Sequence, residues 1–160
     1  MADLVEQLSE LLKSKNMMIA TAESCTGGLL ASSLTHRPGA SSFFDRGFIT
    51  YSNGAKGDML EVSEVVLSSF GAVSAEAAQA MAKGAVDNSA ARIALSTTGV
   101  AGPDGGTKKR PVGLVFIGYA LKGGKSGSFE HRFEGDRRQI QTQSVIEAIK
   151  HAVDILEKAE

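Results

Sequence analysis

The stretch 21–28, with the sequence TAESCTGG, constrains this chain more than any other segment. It follows a short apolar run, 17–20, that predicts a buried strand, and it precedes 29–34, where leucines at helical spacing predict a helix. A strand that passes through small polar residues into a helix leaves that turn at the end of a β-sheet. Helix N-termini have unpaired N–H groups and partial positive charge, which stabilise an anion or a developing oxyanion. The stretch therefore predicts a candidate site at one edge of a sheet.

Two interpretations of Ser24 within this turn are open from the residues alone. Ser24 or Thr26 could cap the following helix by accepting a hydrogen bond from an unpaired N–H group. Alternatively, Ser24 is a nucleophile, or part of an anion cradle in which Gly27 and Gly28 let a ligand approach the backbone closely. The second interpretation requires partner residues elsewhere in the chain.

Composition excludes several classes of protein. A length of 160 residues predicts a single domain over 1–160, and a net charge of −1 gives no general attraction to nucleic acid. Cys25 is the only cysteine, so neither an intrachain disulfide nor a cysteine-based metal site is expected. No apolar run approaches the roughly 20 residues of a membrane helix, and the N-terminus lacks the form of a secretory signal. We therefore expect a cytoplasmic protein without membrane contacts.

Hydrophobic periodicity predicts alternating helices and strands. Helices are predicted over 3–14, 29–34, 54–60, 63–70, 74–88 and from 135 onward, and strands over 17–20, 43–52, 92–97, 112–121 and around 129–133. Asn53 is the predicted cap of the third helix, and the Ala-rich helix 74–88 should pack closely on the sheet. Crossover helices imply parallel strands, whereas the turn 122–125 implies an antiparallel pair. The predicted fold is an α/β three-layer α/β/α sandwich with a mixed, mostly parallel central sheet.

Three loops with functional side chains follow predicted strands, at 23–28, 51–56 and 98–106. Ligands of open α/β sheets bind at the carboxyl ends of strands, so these loops would converge if their strands are parallel. The loop 98–106 offers backbone N–H groups and hydroxyls to a phosphate, although it lacks the Walker A pattern. Arg137 could add a forked contact to an anion, or could be an ordinary solvent-exposed arginine.

A base for Ser24 is the remaining requirement of the nucleophile hypothesis. His36, His131 and His151 lie outside the three loops and are interpreted as solvated or packed histidines. Lys56 is the better candidate, because Ser–Lys pairs are a variant of triad chemistry. Its pKa would have to fall by roughly three units, at a cost of roughly 4 kcal/mol, which only burial can supply. The alternative is an exposed lysine on a helix.

Taken together, the motifs resemble those of the CinA C-terminal-domain family. They are AESCTGG at 22–28, TYSN at 50–53 with Lys56, TGVAGP at 98–103 with GGT at 105–107 and PVG at 111–113, and GDR at 135–137. Characterised members of that family are nicotinamide mononucleotide deamidases, also called nicotinamide-nucleotide amidohydrolases. The resemblance spans nearly the whole chain and is that of a stand-alone form of the domain. It implies hydrolysis of the carboxamide of a small mononucleotide to nicotinate mononucleotide and ammonia.

The resemblance also implies roles for individual residues. Ser24 would be the nucleophile, Lys56 the base, and Tyr51 a partner that orients the pair or relays the proton. Backbone N–H groups near Thr26, Gly27 and Gly28 would hold the oxyanion. Asn53, Thr98, Gly99 and Arg137 would contact the substrate. Neither a metal nor another cofactor is expected.

One departure from the family pattern motivates an alternative function. Where a second arginine is expected four residues after Arg137, this chain has Gln141. The alternative is a non-catalytic nucleotide-binding or regulatory domain of the same fold. The apolar segment 43–48 is a candidate interface for a homodimer.

Overall fold

The computed structural model describes residues 1–159 as six α-helices, five β-strands and one 3-10 turn. The helices are α1 (Ala2–Ser14), α2 (Leu29–Thr35), α3 (Asn53–Leu60), α4 (Glu64–Phe70), α5 (Ala75–Asp87) and α6 (Arg137–Lys158). The strands are β1 (Ile19–Glu23), β2 (Phe44–Ile49), β3 (Ile93–Gly99), β4 (Leu114–Leu121) and β5 (Ser126–Arg132), and the 3-10 turn is Ala40–Ser42. None of the helices in this described part combines the length and apolar content that a membrane span requires.

The five strands form one mixed sheet in the order β2-β1-β3-β4-β5. Strand β1 pairs in parallel with both β2 and β3, whereas β4 is antiparallel to both of its neighbours. Four of the five strands therefore run in the same direction, which confirms the predicted mixed, mostly parallel sheet. The predicted hairpin turn at 122–125 joins β4 to β5.

Helices cover both faces of the sheet, as the three-layer prediction requires. Helices α1, α2 and α6 pack on large aliphatic side chains such as Ile19, Leu95 and Ile117. On the opposite face the strands present mainly alanines, against which α3 and α5 pack. A β-carbon added at Gly118 would lie 2.2 Å from the Ala78 carbonyl oxygen, so α5 contacts the sheet backbone almost directly. This confirms the close packing predicted for the Ala-rich helix.

Among the strand boundaries that differ from the sequence prediction, the C-terminal ends of β1 and β3 bring polar residues into the sheet. Strand β1 continues to Glu23, whose backbone is in register with both Ile49 and Thr97. Strand β3 continues to Gly99, which pairs with Val115. Backbone hydrogen bonds from neighbouring strands extend both elements beyond what local composition indicates, because strand preference depends on pairing context. The predicted turn at 21–28 therefore begins only at Ser24.

Candidate active site

The carboxyl ends of three adjacent parallel strands lie at one edge of the sheet and carry the candidate site. Ser24 follows β1, and the segment that leads from β2 to α3 begins at Thr50. The backbone of Ser24 is tied to β3, because its N–H donates to the carbonyl oxygen of Thr97 at 3.0 Å. Ser52 caps α3 by accepting from the Ala55 N–H, so the prediction that Asn53 is this cap is wrong. The one-residue shift places Lys56 in the second turn of the helix, facing inward.

Lys56 and Ser24 are in direct contact. The Lys56 Nζ lies 3.1 Å from the Ser24 Oγ, 2.9 Å from the Thr50 carbonyl oxygen and 3.3 Å from the Tyr51 carbonyl oxygen. The lysine is only 1% exposed and the serine 9% exposed. Burial lowers the pKa of Lys56 below its ordinary value of 10.5, while the charge interaction with Cys25 acts weakly in the opposite direction. An exposed lysine is thereby excluded, and a Ser–Lys pair is present.

The three oxygen atoms around Lys56 suit the neutral amine as well as the ammonium. An ammonium would donate to all three oxygens. After loss of one proton, the two remaining N–H groups can stay on the carbonyls of Thr50 and Tyr51. The lone pair then points toward Ser24 and can accept its hydroxyl proton. The two carbonyls thus orient the amine for general-base chemistry.

The turn after Ser24 is shaped by two glycines and one carboxylate. Gly27 and Gly28 have φ angles of 57° and 105°, in the left-handed region that favours glycine. The buried Glu23 carboxylate accepts hydrogen bonds from the Leu30 and Ala31 N–H groups at 2.8 and 3.0 Å. The protein therefore fills the N-terminus of α2 with its own anion. Neither Ser24 nor Thr26 caps this helix, since the cap residue is Gly28.

The positions open to an oxyanion lie upstream of the helix itself. Gly27 N–H is already used, because it donates to the Ser24 carbonyl oxygen at 3.1 Å. Within residues 1–159, the N–H groups of Thr26 and Gly28 have no hydrogen-bond acceptor. The Thr26 hydroxyl is also committed, since it donates to Glu23 and lies 2.8 Å from the Thr97 Oγ1. Of the predicted oxyanion donors, Thr26 and Gly28 retain free backbone N–H groups.

Cys25 is adjacent to Ser24 but is unsuited to be the nucleophile. Its side chain is buried, and burial raises the pKa of the thiol from 9.0 to about 12. Because the thiolate is the reactive form of cysteine, the thiol is inert near neutral pH. The serine hydroxyl is therefore the nucleophilic group that the Lys56 amine can activate.

The N-terminus of α6 forms the rim of the site. Asp136 caps this helix in a capping box with Gln139, and Gly135 has a φ of 121° that leads into the cap. This cap directs the exposed Arg137 across the loop after β3. Its guanidinium donates to the Gly102 carbonyl oxygen at 2.8 Å and to the Tyr51 hydroxyl at 3.0 Å.

The Tyr51 side chain is 62% exposed and turned to the rim. Its hydroxyl is paired with Arg137, whereas only its backbone carbonyl oxygen contacts Lys56. The structure does not bring the phenol into contact with Ser24 or Lys56, where a proton relay would need it. Asn53 is exposed beside this residue in the first turn of α3.

Thr98 and Gly99 lie within β3, where both make contacts that hold the fold together. The buried Thr98 hydroxyl donates to the Ala72 carbonyl oxygen at 2.7 Å. A β-carbon at Gly99 would lie 2.6 Å from the Leu114 carbonyl oxygen, so this glycine permits close approach of β4. Of the three predicted loops, two meet at the Ser–Lys pair, and the third contributes the Gly102 carbonyl to the rim.

Two residues that were not predicted as site residues hold the turn that follows Ser24. Glu23 holds the turn to α2, and the Gln141 Nε2 donates to the Cys25 carbonyl oxygen at 3.0 Å. Gln141 lies one helical turn after Arg137 on α6. This four-residue spacing in the sequence indicates that both residues lie on the same face of the helix. For Glu23 the sequence offered no capping pattern, because the carboxylate reaches residues seven and eight positions downstream.

The fold and this site define an α/β protein with a buried Ser–Lys pair at the carboxyl edge of its parallel strands. Residues 1–156 match the family model of the CinA C-terminal domain, and the chain belongs to this family. A protein named nicotinamide-nucleotide amidohydrolase PncC from Enterobacter agglomerans is 42% identical over 151 residues, which are 94% of this chain and 92% of that protein. A protein from Caldicellulosiruptor saccharolyticus, named for competence-damage induction, is 54% identical over 155 residues. The match covers 97% of this chain but 36% of that relative, so the chain spans about a third of its length.

Solved structures of competence/damage-inducible proteins have the same fold. That of CihA from Agrobacterium tumefaciens is 40% identical, with a TM-score of 0.91 over 98% of this chain and 96% of the other. That of ComA from Klebsiella pneumoniae is 30% identical, with a TM-score of 0.94 over 99% of this chain and 98% of the other. The predicted family and fold class are therefore confirmed.

Proposed function

We propose that this protein is an amidohydrolase that converts nicotinamide mononucleotide to nicotinate mononucleotide and ammonia. The observation that carries the proposal is the 3.1 Å contact between the Lys56 Nζ and the Ser24 Oγ, in a buried setting that lowers the pKa of the amine. The name of the Enterobacter agglomerans relative supports the substrate class. Burial and geometry together support general-base activation of a serine.

The proposed reaction proceeds in two halves. Lys56 accepts the hydroxyl proton while the Ser24 Oγ attacks the carboxamide carbon, and the oxyanion is held by the N–H groups of Thr26 and Gly28. When the C–N bond breaks, Lys56 returns the proton to the leaving nitrogen, and ammonia departs. Water then attacks the acyl-serine with Lys56 again as base, which releases the carboxylate and restores Ser24.

The rim supports recognition of a mononucleotide. Arg137 uses two of its five N–H donors within the protein, so three remain for a phosphate oxygen. Tyr51 beside it offers an exposed aromatic face to a nucleotide ring. We assign Arg137, Tyr51 and Asn53 to substrate contact rather than to the proton transfer.

The test is release of ammonia from nicotinamide mononucleotide by the purified protein. Turnover that is abolished by Ser24→Ala but preserved by Ser42→Ala, an exposed serine outside the site, is the expected result. Absence of ammonia release, or undiminished release by Ser24→Ala, would refute the proposal. Thermal stabilisation by the nucleotide without hydrolysis would instead support the non-catalytic nucleotide-binding alternative. Gln141, which motivated that alternative, is engaged with the Cys25 carbonyl and does not itself argue against turnover.

A further inference from the structure

A second cluster of chemically active side chains lies between β5 and α6, away from the Ser–Lys pair. The Nε2 atoms of His131, on β5, and His151, on α6, are 2.8 Å apart. Glu147 lies one turn before His151 on the same helix. One ligand atom from each of the three residues falls within 4.8 Å of the others.

We propose that His131, Glu147 and His151 form a binding site for a divalent transition metal ion of the zinc type. Two imidazoles and one carboxylate are an established donor set for Zn²⁺, with a fourth position left to water. Imidazole nitrogen selects ions such as Zn²⁺, Co²⁺ and Ni²⁺ over Mg²⁺ and Ca²⁺, which prefer oxygen. All three residues are partly exposed, so an ion and its water ligand can reach them.

The two imidazoles need only a small change in their separation to accept the ion. Zn–N bonds of about 2.0–2.1 Å at tetrahedral angles separate two ligand nitrogens by about 3.3 Å. The two Nε2 atoms therefore have to move apart by about half an ångström. In the metal-bound form the ion takes the place of the hydrogen bond between the two Nε2 atoms.

Aromatic packing restrains both imidazole rings of the cluster. The His151 ring stacks on Phe129, with centroids 3.7 Å apart and planes inclined by 2°. The His131 ring stacks in the same way on Phe133, with centroids 5.1 Å apart. These contacts limit the rotation of each imidazole, as preorganised metal sites require.

The other charged groups near the cluster do not block it. Lys150 approaches the Glu147 carboxylate at 3.5 Å, but the lysine side chain is 54% exposed and the pair is a weak surface contact. Asp154 lies on the same helix and adds negative charge near His151. The negative charges of Glu147 and Asp154 both favour a divalent cation at this position.

The ion would join the edge strand β5 to the long helix α6 and stabilise the fold rather than take part in amide hydrolysis. Glu147 is ten residues along α6 from Arg137, or roughly 15 Å at the helical rise. Binding to the folded state alone raises stability by mass action. At free Zn²⁺ one hundred times Kd, we expect Tm to rise by about 5 °C or more.

The test uses the untagged protein after treatment with a chelator. Calorimetric titration with Zn²⁺ should give one equivalent bound, and Co²⁺ should give a visible absorption band typical of nitrogen ligation. His131→Gln and His151→Gln should each weaken binding by at least about tenfold, and Glu147→Gln should weaken it less. His36→Gln is the matched control, since His36 is the third histidine and is exposed at the C-terminal end of α2, outside the cluster.

Two outcomes would overturn the proposal. One is Zn²⁺ binding in the double variant His131→Gln/His151→Gln that equals binding in the unchanged protein. The other is failure of the unchanged protein to bind Zn²⁺ more tightly than Mg²⁺. Far-ultraviolet circular dichroism confirms that each variant is folded. Because the readouts are metal binding and Tm, they are independent of whether the protein hydrolyses nicotinamide mononucleotide.

Discussion

Replacement of Lys56 by methionine tests the chemistry of the site most directly. Methionine has nearly the length and volume of lysine, so Lys56→Met fills the same buried space without an amine. The change removes the donor to the carbonyl oxygens of Thr50 and Tyr51 and the base for Ser24. We expect hydrolysis of nicotinamide mononucleotide to be lost while the fold is kept.

Lys56→Met should affect the rate of hydrolysis and the stability of the fold to different extents. Loss of a positioned general base costs about 10²- to 10⁴-fold in rate, or about 3 to 5 kcal/mol of activation free energy. The free energy of unfolding should change far less. Leaving a buried carbonyl without its donor costs about 1–3 kcal/mol, but removal of a buried ionisable amine offsets much of that cost.

The pH dependence provides a second measurement on the same variant. Because burial lowers the pKa of Lys56 below 10.5, turnover should rise with pH along a limb whose midpoint lies below that value. Over the interval between the folded-state pKa and 10.5, only the unfolded chain keeps the proton. The free energy of unfolding therefore rises with pH there, by up to about 1.36 kcal/mol per unit. Lys56→Met should lack both the limb and this contribution to the slope.

The assay is ammonia release across a pH series, together with urea unfolding of both proteins. Lys83→Met, at an exposed position of α5, is the matched control and should leave both profiles unchanged. A Lys56→Met protein that turns over within threefold of the unchanged protein would refute the assignment of Lys56 as base. Identical pH profiles for the two proteins would refute it equally.

Three further predictions concern the surroundings of the pair. Cys25, with its pKa raised to about 12 by burial, should resist iodoacetamide at pH 8 in the folded protein and react fully in guanidinium, as mass spectrometry can measure. Glu23→Gln should lower the free energy of unfolding by about 1–3 kcal/mol, measured in urea, because two helix N–H groups lose a charged acceptor. Arg137→Gln should raise KM for the nucleotide more than it lowers kcat, whereas Arg138→Gln, one position along and exposed, should change neither.

Each of these predictions has an outcome that contradicts it. Labelling of native Cys25 at the rate of a small free thiol would mean that the turn opens readily. Unchanged stability of Glu23→Gln would mean that its hydrogen bonds to α2 contribute little. A fall in kcat without a change in KM for Arg137→Gln would place that residue in the chemical step.

Local sequence pattern predicts much of the fold, whereas the ends of the strands depend on hydrogen bonding to neighbouring strands. Apolar periodicity and turn residues predicted the sandwich, the hairpin at 122–125 and the final helix. They did not predict that β1 continues through Glu23 or that β3 continues through Gly99, because these residues are held by backbone bonds to distant strands. The local sequence does not indicate such bonds.

The candidate site, too, was predicted only in part from the sequence. Small residues at a strand–helix turn singled out Ser24, and the next strand–helix junction singled out Lys56. The sequence left open whether that lysine was buried, and it did not indicate that Glu23 would occupy the N-terminus of α2. Each of these features depends on atoms far apart in the chain.

The sequence by itself determined the fold class, the family and the two side chains most suited to react, because periodicity and motif spacing are local properties. Only the tertiary structure decided that the Lys56 amine lies 3.1 Å from the Ser24 hydroxyl with its charge disfavoured. It also decided that Tyr51 faces Arg137 and that two histidines twenty residues apart share one contact. A pKa depends on the water that folding excludes, and a contact depends on chain paths that no local pattern specifies.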